Sequence, residues 1–388
     1  MKINNRSLIE GLSYALDVAE KSYLSHSKHV AYTSVMIAKE LKLPIEKREN
    51  LYYAALLHDM GASNTYLIEE HCEVGRDILL KIPMKKVIAD YVYYHHEYFN
   101  GTGPFKLKGD EIPLPAQIIC IADSFDKRFG SIEELNLDAI NEMKRWLNSN
   151  QELFSPEIVA AFHKLIEKEY IILDYFSHEF NNVLLKKIEI QGHNLDFEGV
   201  KEFAHAFSEI IDRRSPFTYE HSVGIANLVN KVTIQLGYNY EIQSKMYVAA
   251  LLHDIGKLAI SNDIINKEGK LDESERYQIN KHTYYTRWIL EQIEGFEDIT
   301  NYASNHHEKL NGNGYPLHLV EEQIGVLDRV MAICDIYQAL TEDRPYRNKM
   351  PIDKVWSIIN EMVNKNELDR ALVDKIKLIL NEEIILCK

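Results

Sequence analysis

The sequence predicts an all-α protein: two tandem helical-bundle domains joined by a helical linker. Three observations predict it. First, AALLHDMG (54–61) lies over AALLHDIG (249–256) at an offset of 195 residues, and the same offset carries His26 onto His221. Second, the register resumes downstream, where His71, His95 and His96 fall on His282, His306 and His307 at an offset of 211, and Asp123 on Asp335 at 212. The N-terminal copy thus lacks 16 residues between the two groups, and self-similarity over this length means a duplicated domain, not a short-period solenoid. Third, apolar residues recur at helical spacing, while few segments show the two-residue alternation flanked by turn signals that extended sheet requires.

Taken in order, copy one spans 1–172, with FSPEIVAAFHKLIEK (154–168) as its closing helix. Residues 173–195 form the linker; Asp174 to Gln191 mixes apolar and charged residues without Gly or Pro, which favours a connecting helix over a flexible tether. Copy two spans 196–388. Within it Ile225, Leu228, Val229, Val232 and Leu236 line one helix face that Gly237 ends. The apolar run Met246 to Leu252 then leads into His253-Asp254.

Composition narrows the function. Hydrophobic residues at 46% and charged residues at 27% describe an ordinary globular chain, and no run of about 18 apolar residues offers a membrane span. The start, MKINNRSLIEGLSYALD, lacks the basic segment and apolar stretch of a secretory signal, so a cytoplasmic location is expected. Cys72, Cys120, Cys334 and Cys387 lie far apart without a CxxC pair, which argues against disulfides and thiolate metal sites. A net charge of -15 disfavours broad binding to a nucleic-acid backbone, which needs a basic face, so no duplex partner is expected. An anionic substrate must meet local positive charge instead.

Histidine carries the chemistry. Ten of the 16 histidines belong to two sets in the same order: His221, His253, Asp254, His282, His306, His307 and Asp335 in copy two, and His26, His58, Asp59, His71, His95, His96 and Asp123 in copy one. Imidazoles and carboxylates without thiolates suit iron, manganese, zinc or nickel. Seven side chains exceed one ion's coordination but fit two ions sharing a carboxylate, a site that facing helices of a bundle can build. Two such ions can activate a water at neutral pH and clamp both oxygens of an in-line displacement at phosphorus. Lys257, one helical turn past Asp254, is placed to meet a phosphate oxygen, and Arg344 and Arg347 to grip a second phosphate or a base edge. Gly312 and Gly314 flank a turn that lets backbone approach a ligand, and Tyr315 adds a hydroxyl and a stacking face.

These residues resemble a known family. HDIGK (253–257), HHEKLNGNGYP (306–316) and DRPYR (343–347) are similar to the motifs of HD-GYP domains, a branch of the HD metal-dependent phosphohydrolases, and the resemblance covers about 196–350. It implies an all-helical domain that hydrolyses cyclic di-GMP at a centre of two divalent ions, iron or manganese first, with zinc or nickel also accommodated. It implies that His221, His253, Asp254 and Asp335 hold one ion, and that Asp254 bridges to a second held by His282, His306 and His307. It casts Asp254 and Lys257 as catalytic, and Lys257, Gly314, Tyr315, Arg344 and Arg347 as substrate-binding. Some members add a third metal through a Glu one turn before the first His; Phe217 stands there, so two are expected. The expected partner is cyclic di-GMP or a related nucleotide, with no membrane contact and with a homo-oligomer compatible.

Departures also follow from the motifs. After GYP the family's xGLxGxxIPLxAR becomes LHLVEEQIGVLDR; Gln338 stands for the usual Asp and Thr286 for the usual Gly. Copy one keeps every ligand type and LKGDEIPLPAQI (107–118), yet Ala62 replaces the lysine, Pro104-Phe105 replaces Tyr-Pro, and Ile132 and Leu135 fall near the arginine positions. Copy one is therefore expected to bind metal as a relic, a sensor or an enzyme for another phosphate ester, and to leave cyclic di-GMP uncut. Besides cyclic di-GMP hydrolysis in copy two, the ligand set admits another cyclic dinucleotide or a nucleoside monophosphate as substrate. A non-catalytic dinucleotide effector is the third class.

Overall fold

The computed structural model describes residues 2–19, 25–62, 67–132, 134–177, 179–214, 221–342 and 349–386. The fold is helical, as the periodicity predicts. Among the described residues the only strands are Ile3–Asn4 and Asn194–Leu195, which pair antiparallel with Ile3 opposite Leu195. The chain forms two compact units, Leu8–His193 and Asn194–Lys388 with Met1–Ser7. The first seven residues, read from sequence as the start of copy one, group with the second unit through this strand pair and through Ser7 Oγ, which accepts from the Glu294 amide at 2.9 Å.

The repeat is visible in the helix bounds. His26–Glu40 matches His221–Gln235 at the 195 offset, Lys86–Tyr93 matches Glu297–Ser304 at 211, and Leu114–Phe129 matches Val326–Thr341 at 212. The 16-residue gap falls between the His-Asp doublet and the third histidine, where the second unit adds the short helix Asn262–Ile265 and a longer helix, Glu273–Leu290, against Ile68–Leu79 in the first. Asp272 starts that longer helix: its carboxylate accepts from Glu275 N at 2.8 Å, and Glu275 returns the bond to Asp272 N.

Local signals end and begin the neighbouring elements. Gly237 stops His221–Gln235 by adopting φ +81, a left-handed conformation that costs glycine nothing. Asn239 then caps Tyr240–Leu252 by accepting from Ile242 N at 3.0 Å. The second half of that helix is apolar, with Met246, Val248, Ala249, Ala250, Leu251 and Leu252 buried, so its C-terminal end delivers His253-Asp254 into the interior. In the first unit Pro156–Glu167 lies within the stretch expected as a closing helix. Over 173–195 the chain is not one continuous helix: Tyr170–Tyr175 and Phe180–Lys187 pack within the first unit, where Tyr175 donates to Asp126 and Asn181 accepts from Lys28 at 3.1 Å. Cys72, Cys120 and Cys334 are free and buried; Cys387 lies outside the described residues. No described helix is long and apolar enough to cross a membrane.

Candidate metal centres

In the second unit, helix ends and faces bring the predicted ligands together. His221 opens His221–Gln235, His253 and Asp254 follow Tyr240–Leu252, and His282 lies on Glu273–Leu290. His306 and His307 follow Glu297–Ser304, and Asp335 lies on Val326–Thr341. Ligand atoms of His221, His253 and Asp335 lie within 4.8 Å of one another, as do those of His253, Asp254 and His306, and those of His282, His306 and His307. Asp254 faces two directions: Oδ2 is 3.2 Å from His253 Nε2, and Oδ1 is 3.4 Å from His282 Nε2. A carboxylate so placed can join two groups of imidazoles.

The backbone orients the rings. Nδ1 of His253, His282 and His306 meets the carbonyl three residues earlier, on Ala250, Ile279 and Ala303, at 2.8, 2.7 and 2.6 Å. A carbonyl only accepts, so Nδ1 carries a proton in each ring and Nε2 is turned toward the centre. Burial, the largest cause, holds the His282 and His306 rings down to about 3 and about 4, and also holds His307 well below its usual value. These rings are neutral donors at neutral pH. For Asp254 burial works upward, but His253 and Lys257 outweigh it and hold the carboxyl well below the usual carboxylate range. His253 is lowered by burial and raised more by Asp254, ending at about 9.

The GYP loop is tied down by a residue that motif reading passed over. Glu308, directly after the histidine pair, accepts from Leu317 N at 2.7 Å and Leu319 N at 2.9 Å and so folds the loop back over the helix end. Gly314 is required there, since a Cβ would fall 2.4 Å from Glu308 Cα. The loop places the Tyr315 ring 4.9 Å from that of His307. Lys257 Nζ lies 2.5 Å from Asp254 Oδ2, against the shared carboxylate. Thr286, the departure from Gly, donates to the His253 carbonyl at 2.9 Å and accepts from Gly256 N at 3.0 Å, locking the third histidine's helix to the His-Asp turn. Phe217, Arg344 and Arg347 lie outside the described residues.

The first unit repeats the construction. Asp59, His71, His95 and His96 converge within 4.8 Å, and so do His26, His58 and Asp59. Asp123 Oδ1 is 3.3 Å from His26 Nε2 and 3.6 Å from His58 Nε2. Both Asp59 oxygens, Asp123 Oδ1 and His95 Nε2 are buried without a hydrogen-bond partner. Converging buried acceptors of this kind are costly unless a cation satisfies them, so the donor set fits a divalent metal. Glu97 repeats the clamp of Glu308, accepting from Phe105 N at 2.6 Å and Leu107 N at 2.8 Å. What differs is the rim: Ala62 carries no charge, and Phe105 stacks on Tyr93 at 4.4 Å. Lys127 Nζ lies 3.0 Å from Asp123 Oδ2.

Comparison with known proteins places the chain in one family. The HD domain family matches residues 23–128 and 205–372. The chain is 31% identical to 3'3'-cGAMP-specific phosphodiesterase 1 of Vibrio cholerae serotype O1, over 96% of this chain and 91% of that protein. This protein belongs to the HD family, with two HD domains in tandem, of the HD-GYP type. A second relative of this HD-GYP protein, 3'3'-cGAMP-specific phosphodiesterase 3 of the same organism, is 33% identical over 76% of this chain and 64% of its own length. Cyclic di-GMP phosphodiesterase PA4108 of Pseudomonas aeruginosa is 38% identical over 34% of this chain and 32% of its own. A crystal structure of a V. cholerae cyclic GMP-AMP specific phosphodiesterase superposes with a TM-score of 0.74 at 25% identity, covering 98% of both chains. HD domains are metal-dependent, and the His/Asp groups of both units are able to hold metal.

Proposed function

We propose that this HD-GYP protein is a metal-dependent phosphodiesterase that opens a cyclic dinucleotide in its second unit. The carrying observation is Asp254, whose two oxygens face His253 and His282 separately and so suit a carboxylate shared by two ions. His221, His253, Asp254 and Asp335 would hold one ion, and Asp254, His282, His306 and His307 the other; iron and manganese head the metals this donor set accepts. Bound there, two divalent cations supply the Lewis acidity that makes water nucleophilic near neutral pH and neutralises charge on the phosphoryl oxygens. Water adds at phosphorus and one P–O ester bond breaks, which leaves a linear dinucleotide with a new hydroxyl and a terminal phosphate. Lys257 is placed at the shared carboxylate, where its ammonium can turn to a phosphoryl oxygen. Tyr315, held by the Glu308 clamp and the Gly314 turn, presents a stacking face beside His307. Arg344 and Arg347 would supply the remaining anion contacts.

The sequence motifs alone favour cyclic di-GMP. The likeness over nearly the full chain to a 3'3'-cGAMP-specific enzyme favours 3'3'-cGAMP. We take 3'3'-cGAMP as the substrate and cyclic di-GMP as the second reading. The test is product analysis after incubating metal-loaded protein with each dinucleotide in parallel. A linear product from 3'3'-cGAMP at the higher kcat/KM supports the first reading, and the reverse order the second. Binding of both without cleavage would make the protein an effector. The first unit, with its ligands but without Lys257, Tyr315 and the arginines, would hold metal and leave the dinucleotide intact.

A further inference from the structure

The two units orient their first histidine differently, and three substitutions account for it together. In the first unit His26 Nδ1 is 2.5 Å from Asp126 Oδ2, one turn past Asp123; the same carboxylate lies 3.4 Å from His29 Nδ1 and accepts from Tyr175. At the 212 offset Asp126 corresponds to Gln338, which has no carboxylate. The same offset carries Gly130 onto Glu342, one turn further along, and the 195 offset carries His29 onto Gly224.

The second unit's geometry uses all three changes. Glu342 Oε2 is 2.7 Å from His221 Nδ1, and Gln338 Nε2 donates to Glu342 Oε1. A Cβ at Gly224 would lie 2.5 Å from Gln338 Nε2 and 3.3 Å from Glu342 Oε1, so the missing side chain makes room for the pair. We propose that Glu342 is the positioning residue of His221, taking over from one helical turn away the task that Asp126 performs for His26, with Gln338 as its support and Gly224 as its space. His253, His282 and His306 rest on neutral carbonyls, whereas the first histidine of each unit has a carboxylate partner. A carboxylate on the Nδ1 proton holds the ring's tautomer and raises the basicity of Nε2 toward a metal.

This inference rests on the metal-binding reading of the second unit, and the test separates the two. Full-length protein carrying His58→Ala and Asp59→Ala, to silence the first unit, is stripped of metal and titrated with Mn²⁺; KM and kcat are measured at saturating Mn²⁺. Failure of this background to bind Mn²⁺ overturns the metal reading itself. With binding present, Glu342→Ala should weaken Mn²⁺ affinity by about 10- to 100-fold while KM changes little. Rescue uses the first unit's arrangement: Gln338→Asp combined with Glu342→Gly should recover most of the affinity. Unchanged affinity in Glu342→Ala, or a folded double variant that does not recover, overturns the proposal. Loss of the metal-free melting transition in both variants overturns it too, since Glu342 would then serve the fold and not His221.

Discussion

Gly256→Ala tests whether backbone approach sets the second unit's centre. A Cβ at this position would fall 1.9 Å from the His282 carbonyl oxygen and 2.5 Å from the Thr286 amide nitrogen. Both obstacles are backbone of Glu273–Leu290, so no side-chain rotation relieves them and that helix must retreat by about 1 Å, at a cost of about 1–3 kcal/mol. The retreat carries His282 away from Asp254, whose Oδ1 lies 3.4 Å from its Nε2. Metal sites tolerate ligand displacements of only about 0.2 Å, and a misplacement of about 1 Å can cost about 100-fold in rate. The expected outcome is loss of about one metal per chain, kcat/KM lower by about 100-fold, and a folded protein with a melting temperature a few degrees lower. Metal content by elemental analysis and steady-state hydrolysis of 3'3'-cGAMP measure it. Full metal content with kcat/KM within about threefold of the parent would refute the link from close approach to ligand geometry.

Asp254→Ala should lower hydrolysis by several powers of ten, because neither ion keeps its shared ligand; retention of more than about a tenth of the activity contradicts the assignment. Lys257→Ala, Arg344→Ala and Arg347→Ala should keep their metal and lose about 10- to 100-fold in kcat/KM, in line with a charge-assisted contact of about 1.5–3 kcal/mol, whereas loss of metal would make them structural. His58→Ala with Asp59→Ala should reduce the metal count and leave most turnover; an unchanged count would show that the first unit holds none. In metal-stripped protein His282 and His306, held at about 3 and about 4 against an ordinary 6.5, stay neutral in the fold while the unfolded chain takes up protons. Their stability contribution is present above 6.5 and lost as pH falls from there toward 4, at about 1.4 kcal/mol per pH unit for each ring. His253, raised to about 9, changes its contribution only above 6.5, so urea midpoints should fall between those acid pH values; a flat profile would contradict the neutral-donor reading.

The duplication, the helical class and the residue types of both clusters are legible from the chain alone. Periodicity is local, and the repeat offsets carry it from one unit to the other, so His26–Glu40 and His221–Gln235 share their bounds to the residue. Five histidines and two aspartates recurring in one order sufficed to name the chemistry without coordinates. Gln338 and Thr286 stand out in the motifs as departures, but nothing in the motifs says what replaces the lost groups. Glu308 was written in the HHE motif, yet its bonds to Leu317 and Leu319 depend on a loop returning over the helix end. The first seven residues look like the opening of copy one until Ile3 pairs with Leu195. It takes the packed fold to bring Glu342, 121 positions from His221, to its Nδ1. Such a contact leaves no periodic trace, because it depends on how two helices pack and on the one side chain absent between them, that of Gly224.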